Sequence, residues 1–216
     1  MFPIVINRNL NKDNPFGIFD KIYCINLDKR KDRWEQSELE FKKHGLNVER
    51  FSAIDGNCIT LRSRNSFRLN KGEQGCILSH INILKSMVEQ GLEKILILED
   101  DVSFVDNLNN LLDCYIKQVP PNWDMLYLGG NHIKQPIKIS ENIGKLIKTY
   151  TTSYYAITNS MARFLISQIK HDSAIDVFYS SFHPDFNCYV LMPHLAWQRP
   201  NYSDIHNKHV DYKKYL

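Results

Sequence analysis

The sequence predicts an α/β fold with a mixed, mostly parallel central sheet flanked by helices. Three observations point to it. Strand-like apolar runs alternate with helix-like segments along the chain. Lys94 to Glu99 (KILILE) is a continuous aliphatic run, too short for a helix and suited to a central strand covered on both faces. Glu73 to Gln90 carries Ile77, Leu78, Ile81, Leu84, Met87 and Val88 at spacings of three and four, and Gly91 stops it.

Residues 1–19 hold Asn7, Asn9, Asn11, Asn14, Pro15 and Gly17 without a period and read as a loose leader; residues 20–216 read as one domain. Lys21 to Leu27 (KIYCINL) is a buried strand, and Asp28 offers an N-cap to a helix from Lys29 to His44, closed by Gly45. Val48 to Ala53 forms a second strand that ends at the turn pair Asp55-Gly56. Beyond the KILILE strand, a helix starts at Asp106 or Asn107, reaches about Val119 and halts at Pro120-Pro121. Asp124 to Leu128 is a strand ended by Gly129-Gly130. Tyr154 to Thr158 is another, followed by a helix from Asn159 to about Lys170, and Asn187 to Gln198 is strand-like and aromatic.

The 216 residues are 43% hydrophobic and 24% charged, which excludes a disordered chain, a collagen-like repeat and a disulfide mini-scaffold. A net charge of +3, from 27 basic against 24 acidic residues, is too even to call for a nucleic-acid partner. The run Ile95 to Leu98 falls far short of the roughly 20 apolar residues that span a bilayer, so no membrane span is expected. Met1 to Ile6 lacks a basic start and a cleavage site, and is not read as a signal peptide. The five cysteines are odd in number, with no pair spaced for a zinc knuckle or a redox couple. They read as reduced thiols in a cytosol-like compartment.

The strongest chemical signal is Glu99-Asp100-Asp101, directly after the aliphatic strand and without a basic sequence neighbour. Ligands of open α/β sheets bind beyond the carboxyl ends of the strands. Adjacent carboxylates there repel unless a cation lies between them, and oxygen-only ligands suit Mg²⁺ or Mn²⁺. The plainer alternative is a solvated acidic turn. Arg30 and Arg33 lie three apart after the first strand, able to grip a phosphate or to pair with Asp28 and Asp32. Gly72-Glu73-Gln74-Gly75-Cys76 opens the long helix, where glycines permit close backbone approach. His80 follows on the side of the apolar stripe and reads as a hydrogen-bonded structural residue. Asp176 sits inside an apolar run, either as a base with a raised pKa or as part of a helix cap beside Ser173. Gln198, Asp204 and His206 cluster in a polar tail.

Taken in order, several segments resemble glycosyltransferase family 25. They are Ile25-Asn26-Leu27 with Arg30, Asp32 and Arg33; Ala53-Ile54-Asp55-Gly56; Gly72 to Cys76 with Ser79-His80; and Leu96 to Val102. Asp124 to Gly129, Tyr155-Ala156-Ile157, Ile175-Asp176, and Gln198 with Ser203-Asp204-Ile205 complete the set. The family includes bacterial lipooligosaccharide galactosyltransferases, procollagen galactosyltransferases and giant-virus enzymes, and the resemblance covers about residues 20–206. It implies a GT-A type nucleotide-sugar fold. It also implies metal-assisted, inverting transfer of a hexose, galactose or glucose, from a UDP-sugar to a hydroxyl of a glycan or glycosylated protein. The expected location is the cytoplasm, or the virion and host cytoplasm.

The donor contacts implied are Asn26, Leu27, Arg30, Arg33, Glu73, His80, Glu99, Asp100 and Gln198. The ligands implied for Mn²⁺ or Mg²⁺ are Asp101, Glu99 and His206, and Asp100 also joins the catalytic set. Inversion needs a base opposite the leaving group; with the acidic triplet engaged by metal, Asp176 is the expected base. Two other classes stay open: a nucleotide-sugar-binding module without turnover, and a metal-dependent phosphoester hydrolase using Asp204 and His206 as further ligands.

Overall fold

The computed structural model describes residues 14–59, 69–170, 172–203, 205 and 208–210. Residues 1–13 of the expected leader lie outside these. Its end is not loose: Asn14 caps a single 3-10 turn, Pro15–Ile18, by accepting the Phe16 amide proton, and Phe16 and Phe19 are buried in the core.

The chain then runs through β1 (Lys21–Asn26), α1 (Lys31–Lys43), β2 (Glu49–Ser52), α2 (Lys71–Glu89) and β3 (Lys94–Glu99). There follow β4 (Val102–Phe104), α3 (Leu108–Ile116) and β5 (Met125–Tyr127). Four short strands come next: β6 (Asn131–Lys134), β7 (Ile137–Lys138), β8 (Ile143–Lys145) and β9 (Lys148–Tyr150). The chain closes with β10 (Tyr154–Thr158), α4 (Asn159–Gln168), α5 (Ile175–Ser180), β11 (Cys188–Leu191), β12 (Ala196–Gln198), β13 (Asn201–Ser203) and β14 (Lys208–Val210).

The main sheet has eight strands in the order β2-β1-β3-β10-β5-β11-β8-β7. Pairs β1–β2, β1–β3 and β5–β11 are parallel. β10 runs against both β3 and β5, and β8 runs against β11 and β7. All the strands except β10 and β8 therefore point one way, the mixed and mostly parallel sheet expected.

Strand periodicity divides the core into two layers. Ile22, Cys24, Leu96, Leu98, Leu126 and Ala156 face one cluster with Phe41 of α1 and Leu108 and Leu112 of α3. Tyr23, Ile25, Ile95, Ile97, Tyr127 and Ile157 face the other, with Ile77, Ile81 and Leu84 of α2, Leu165 of α4 and Tyr179 of α5. Both faces are covered, so KILILE carries no polar alternation.

Two local expectations are corrected. Asp28 does not cap α1: the helix starts at Lys31 after an uncapped Arg30, and Asp28 instead accepts from Arg50 Nη2 (2.7 Å) and Ser52 Oγ (2.8 Å). The run 187–198 is two strands: β11 ends before Pro193, which has no N–H to donate to a ladder, and β12 pairs with β4 outside the main sheet.

Candidate active site

Because β1 and β3 are parallel neighbours, Asn26 and Glu99 end at the same edge of the sheet. A cavity of about 620 Å³ opens there, a volume suited to a nucleotide-sized ligand. Asn26, Leu27 and Arg33 line one side. Ala53 to Asn57 and Asn70 to Gly72 line another, with Cys76, Ser79 and His80 of α2, then Glu99 to Asp101, Gln198 and Arg199.

The acidic triplet has a cation of its own. Arg33 Nη2 lies 2.5 Å from Asp100 Oδ1 and 2.8 Å from Asp101 Oδ2, with all three side chains nearly buried. Asn26 Nδ2 donates to Asp100 Oδ2 at 2.6 Å, and Arg50 Nε donates to Asn26 Oδ1 at 2.8 Å, so Asn26 is a strut between two charged groups. The Asp100 carbonyl accepts from Ser37 Oγ (2.8 Å) and Arg199 Nη2 (2.9 Å). Thus the turn after β3 is tied to α1 and to the residue after β12.

One guanidinium pairs directly with two carboxylates, and Arg199 adds a more distant positive charge beside the turn. The two carboxylates hold the pKa of Arg33 above its ordinary value despite burial. Burial, reinforced by Glu99 and Asp100 and only partly offset by Arg33, pushes Asp101 up to about 7. Asp101 Oδ1 is buried with no hydrogen-bond partner; Gln198 Nε2 reaches only the other oxygen, at 3.4 Å. Glu99 points elsewhere. Its Oε1 faces His80 Nε2 at 3.3 Å and its Oε2 accepts from Ser153 Oγ at 2.9 Å. Burial opposes its charge, but His80, Ser153 and Arg33 outweigh that and hold its pKa below the ordinary value.

Gly75 does what a glycine near a helix start was expected to do. A Cβ there would lie 2.5 Å from the Ile54 carbonyl oxygen and 2.8 Å from the Gly56 amide nitrogen. Backbone meets backbone at that point, and it sets how closely the 53–57 wall approaches α2. Gly75→Ala is expected to cost about 2 kcal/mol of stability through overpacking, read as a lower denaturation midpoint at unchanged m-value.

The other expected site residues scatter. Leu27, His80 and Gln198 line the cavity. Arg30 is not among its lining residues and makes a bidentate pair with Asp32 (Nε–Oδ1 3.0 Å, Nη2–Oδ2 2.9 Å), a local choice open to it from two residues away. Glu73 is used by the α2 capping box: Asn70 Oδ1 accepts the Glu73 amide proton at 2.9 Å, and Glu73 Oε2 accepts the Asn70 amide proton at 2.7 Å. Its spacing from Asn70 was the available signal.

Asp176 lies in the first turn of α5 rather than at its cap, outside the cavity wall. Its carboxylate accepts the amide protons of Thr151 (3.3 Å) and Val177 (2.8 Å). Burial raises its pKa against these two amides, and Glu99 is near enough to add to the rise. Thr151 has φ of 87°, a strained conformation for a β-branched residue, held where its amide meets Asp176. Asp204 and His206 lie outside the described residues. Arg199, Ser37, Ser153 and Thr151 carry no sequence signal; they reach the site only through the fold.

The family profile described as glycosyltransferase family 25 (LPS biosynthesis protein) matches residues 19–179. Human procollagen galactosyltransferase 2 is 30% identical over 196 residues, covering 77% of this chain and 31% of that protein. The procollagen lysyl hydroxylase and glycosyltransferase of Acanthamoeba polyphaga mimivirus is 32% identical over 221 residues, covering 83% and 25%. Human inactive glycosyltransferase 25 family member 3 is 29% identical over 184 residues, covering 75% and 31%. The chain thus spans about a quarter to a third of the length of these relatives.

Proposed function

The chain belongs to glycosyltransferase family 25, and on that premise we propose that it transfers a hexose, galactose or glucose, from a UDP-sugar to a hydroxyl of a glycan or glycosylated protein, with inversion. The observation that carries the reading is Asp101, with a buried unpartnered oxygen beside Arg33 at a nucleotide-sized cavity.

The residues fit a divalent cation at one place. Asp101 Oδ1 is a hard oxygen without a partner, the kind of single protein contact through which Mg²⁺ or Mn²⁺ is shared with substrate phosphates. Glu99 fits the same ion poorly, since its oxygens face His80 and Ser153. Such an ion, when bound, offsets charge growing on the departing diphosphate.

The chain's own residues do the rest. Asn26 and Ser37 lock the Asp100 turn, and Arg33 remains a fixed positive charge beside the diphosphate position. Leu27 and Ile54 supply apolar wall for the nucleoside. In the displacement, the acceptor oxygen bonds to the anomeric carbon as the bond to the diphosphate oxygen breaks. UDP leaves and the acceptor proton goes to a carboxylate. Asp176 is assigned as that base: it stands outside the cavity lining but near Glu99, burial raises its proton affinity, and two amides fix its orientation.

The test is a panel of UDP-, GDP- and CMP-sugars with Mn²⁺, scored for nucleotide release and then for transfer to a supplied acceptor. UDP release with transfer is expected, and Asp176→Asn is expected to slow transfer by about 100-fold or more with donor binding kept. Transfer at the wild-type rate removes Asp176 as base. Release without transfer to any acceptor favours a hydrolase. Binding without release favours a non-catalytic module, a reading motivated by the relatives named inactive.

A further inference from the structure

Cys76, His80 and Glu99 bring one ligand atom each to within 4.8 Å of one another, in the sole such group of three among the described residues. Cys76 and His80 are four apart on α2 and share a face, and Glu99 meets them from the end of β3. We propose that this cluster binds a Zn²⁺-class ion, at a site separate from the oxygen position at Asp101.

The hydroxyls behind His80 support it. Tyr155 Oη lies 3.0 Å from His80 Nδ1 and is itself held by Tyr179 Oη at 3.4 Å, so the ring is fixed from its far side. The ring so held presents Nε2 to Glu99 Oε1, 3.3 Å away, and Cys76 lies one helical turn before it. A second group that orients a histidine through its other nitrogen is the usual support of a metal ligand.

The donor set matches the ion. Thiolate, imidazole and carboxylate are Zn²⁺ ligands, and a thiolate discriminates against Mg²⁺ and Mn²⁺. One thiolate and one carboxylate balance the charge of the ion, and the three ligands leave a fourth position open toward the cavity that all three line. Tetrahedral bonding brings such atoms to roughly 3.3–3.6 Å apart, an inward shift of about 1 Å achievable by side-chain rotation.

The experiment is metal binding by the full chain, stripped with chelator, followed by equilibrium dialysis with Zn²⁺ and by the absorption spectrum with Co²⁺. One ion per chain and a thiolate-to-cobalt charge-transfer band are expected. Cys76→Ser should remove the band and weaken Zn²⁺ binding by about tenfold or more, and Glu99→Gln should also weaken it. Asp101→Asn, and Ser at the exposed Cys58 and Cys114, should leave both signals intact. Absent stoichiometric binding overturns the proposal, as does unchanged binding in Cys76→Ser, or loss of the signals in Asp101→Asn or in the Cys58/Cys114 variant. None of these readouts involves UDP-sugar, so the result stands apart from the transferase assay.

Discussion

Arg33→Met is expected to destabilise the protein by about 3–5 kcal/mol at pH 8, more than a surface arginine would, because it strips the cation from two buried carboxylates. Methionine keeps much of the apolar stem, so the loss reports charge rather than volume. The cost should shrink toward pH 5, where the carboxyls of Asp100 and Asp101 take up protons instead; burial already raises the pKa of both. Urea denaturation at the two pH values measures this. A double variant with Asp100→Asn should lose less than the sum of the single losses, since the residues share one interaction. Equal loss at both pH values would mean that packing dominates.

Asp101→Asn is expected to do opposite things to stability and to binding. With Arg33 in place and no divalent ion bound, the folded state holds the Asp101 proton up to about pH 7, against an ordinary value of 3.8. The folded protein therefore binds more protons than the unfolded chain between these values, and the Asp101 contribution to stability falls as pH rises through that window. Asparagine has no such slope. The variant should match the wild type near pH 4 and exceed it by about 4 kcal/mol at pH 8. Buried His132 and His183, whose pKa values burial lowers to about 4 and about 3, give the opposite slope in both proteins and cancel in the difference. In the same variant, Mn²⁺ and UDP should no longer raise the melting temperature, whereas the wild type should gain about 2–3 kcal/mol at 100 times Kd. Retained metal-dependent UDP binding would remove Asp101 as the cation contact.

Much of the fold was legible because it rests on local periodicity. The apolar stripe of α2 and the unbroken KILILE run follow from one buried helix face and a strand covered on both faces. The strands between residues 131 and 150 were not legible. Each has two to four residues, several are exposed, and their lysines give no alternation to read.

The candidate site divides in the same way. From sequence alone came three carboxylates at a strand end, two arginines after the first strand and glycines that let backbones touch, because residue type and immediate neighbours settle such features. Only the tertiary structure decided which arginine counts. Arg30 found Asp32 two residues away, whereas the parallel pairing of β1 with β3 brought Arg33 to Asp100 and Asp101. It also turned Glu99 toward His80 and away from its sequence neighbours, and it brought Arg199 to the turn through the pairing of β12 with β4. Charges on a chain are fixed by its residues. Their partners are fixed by which groups burial forces to share one small volume, and that is a property of the packed fold.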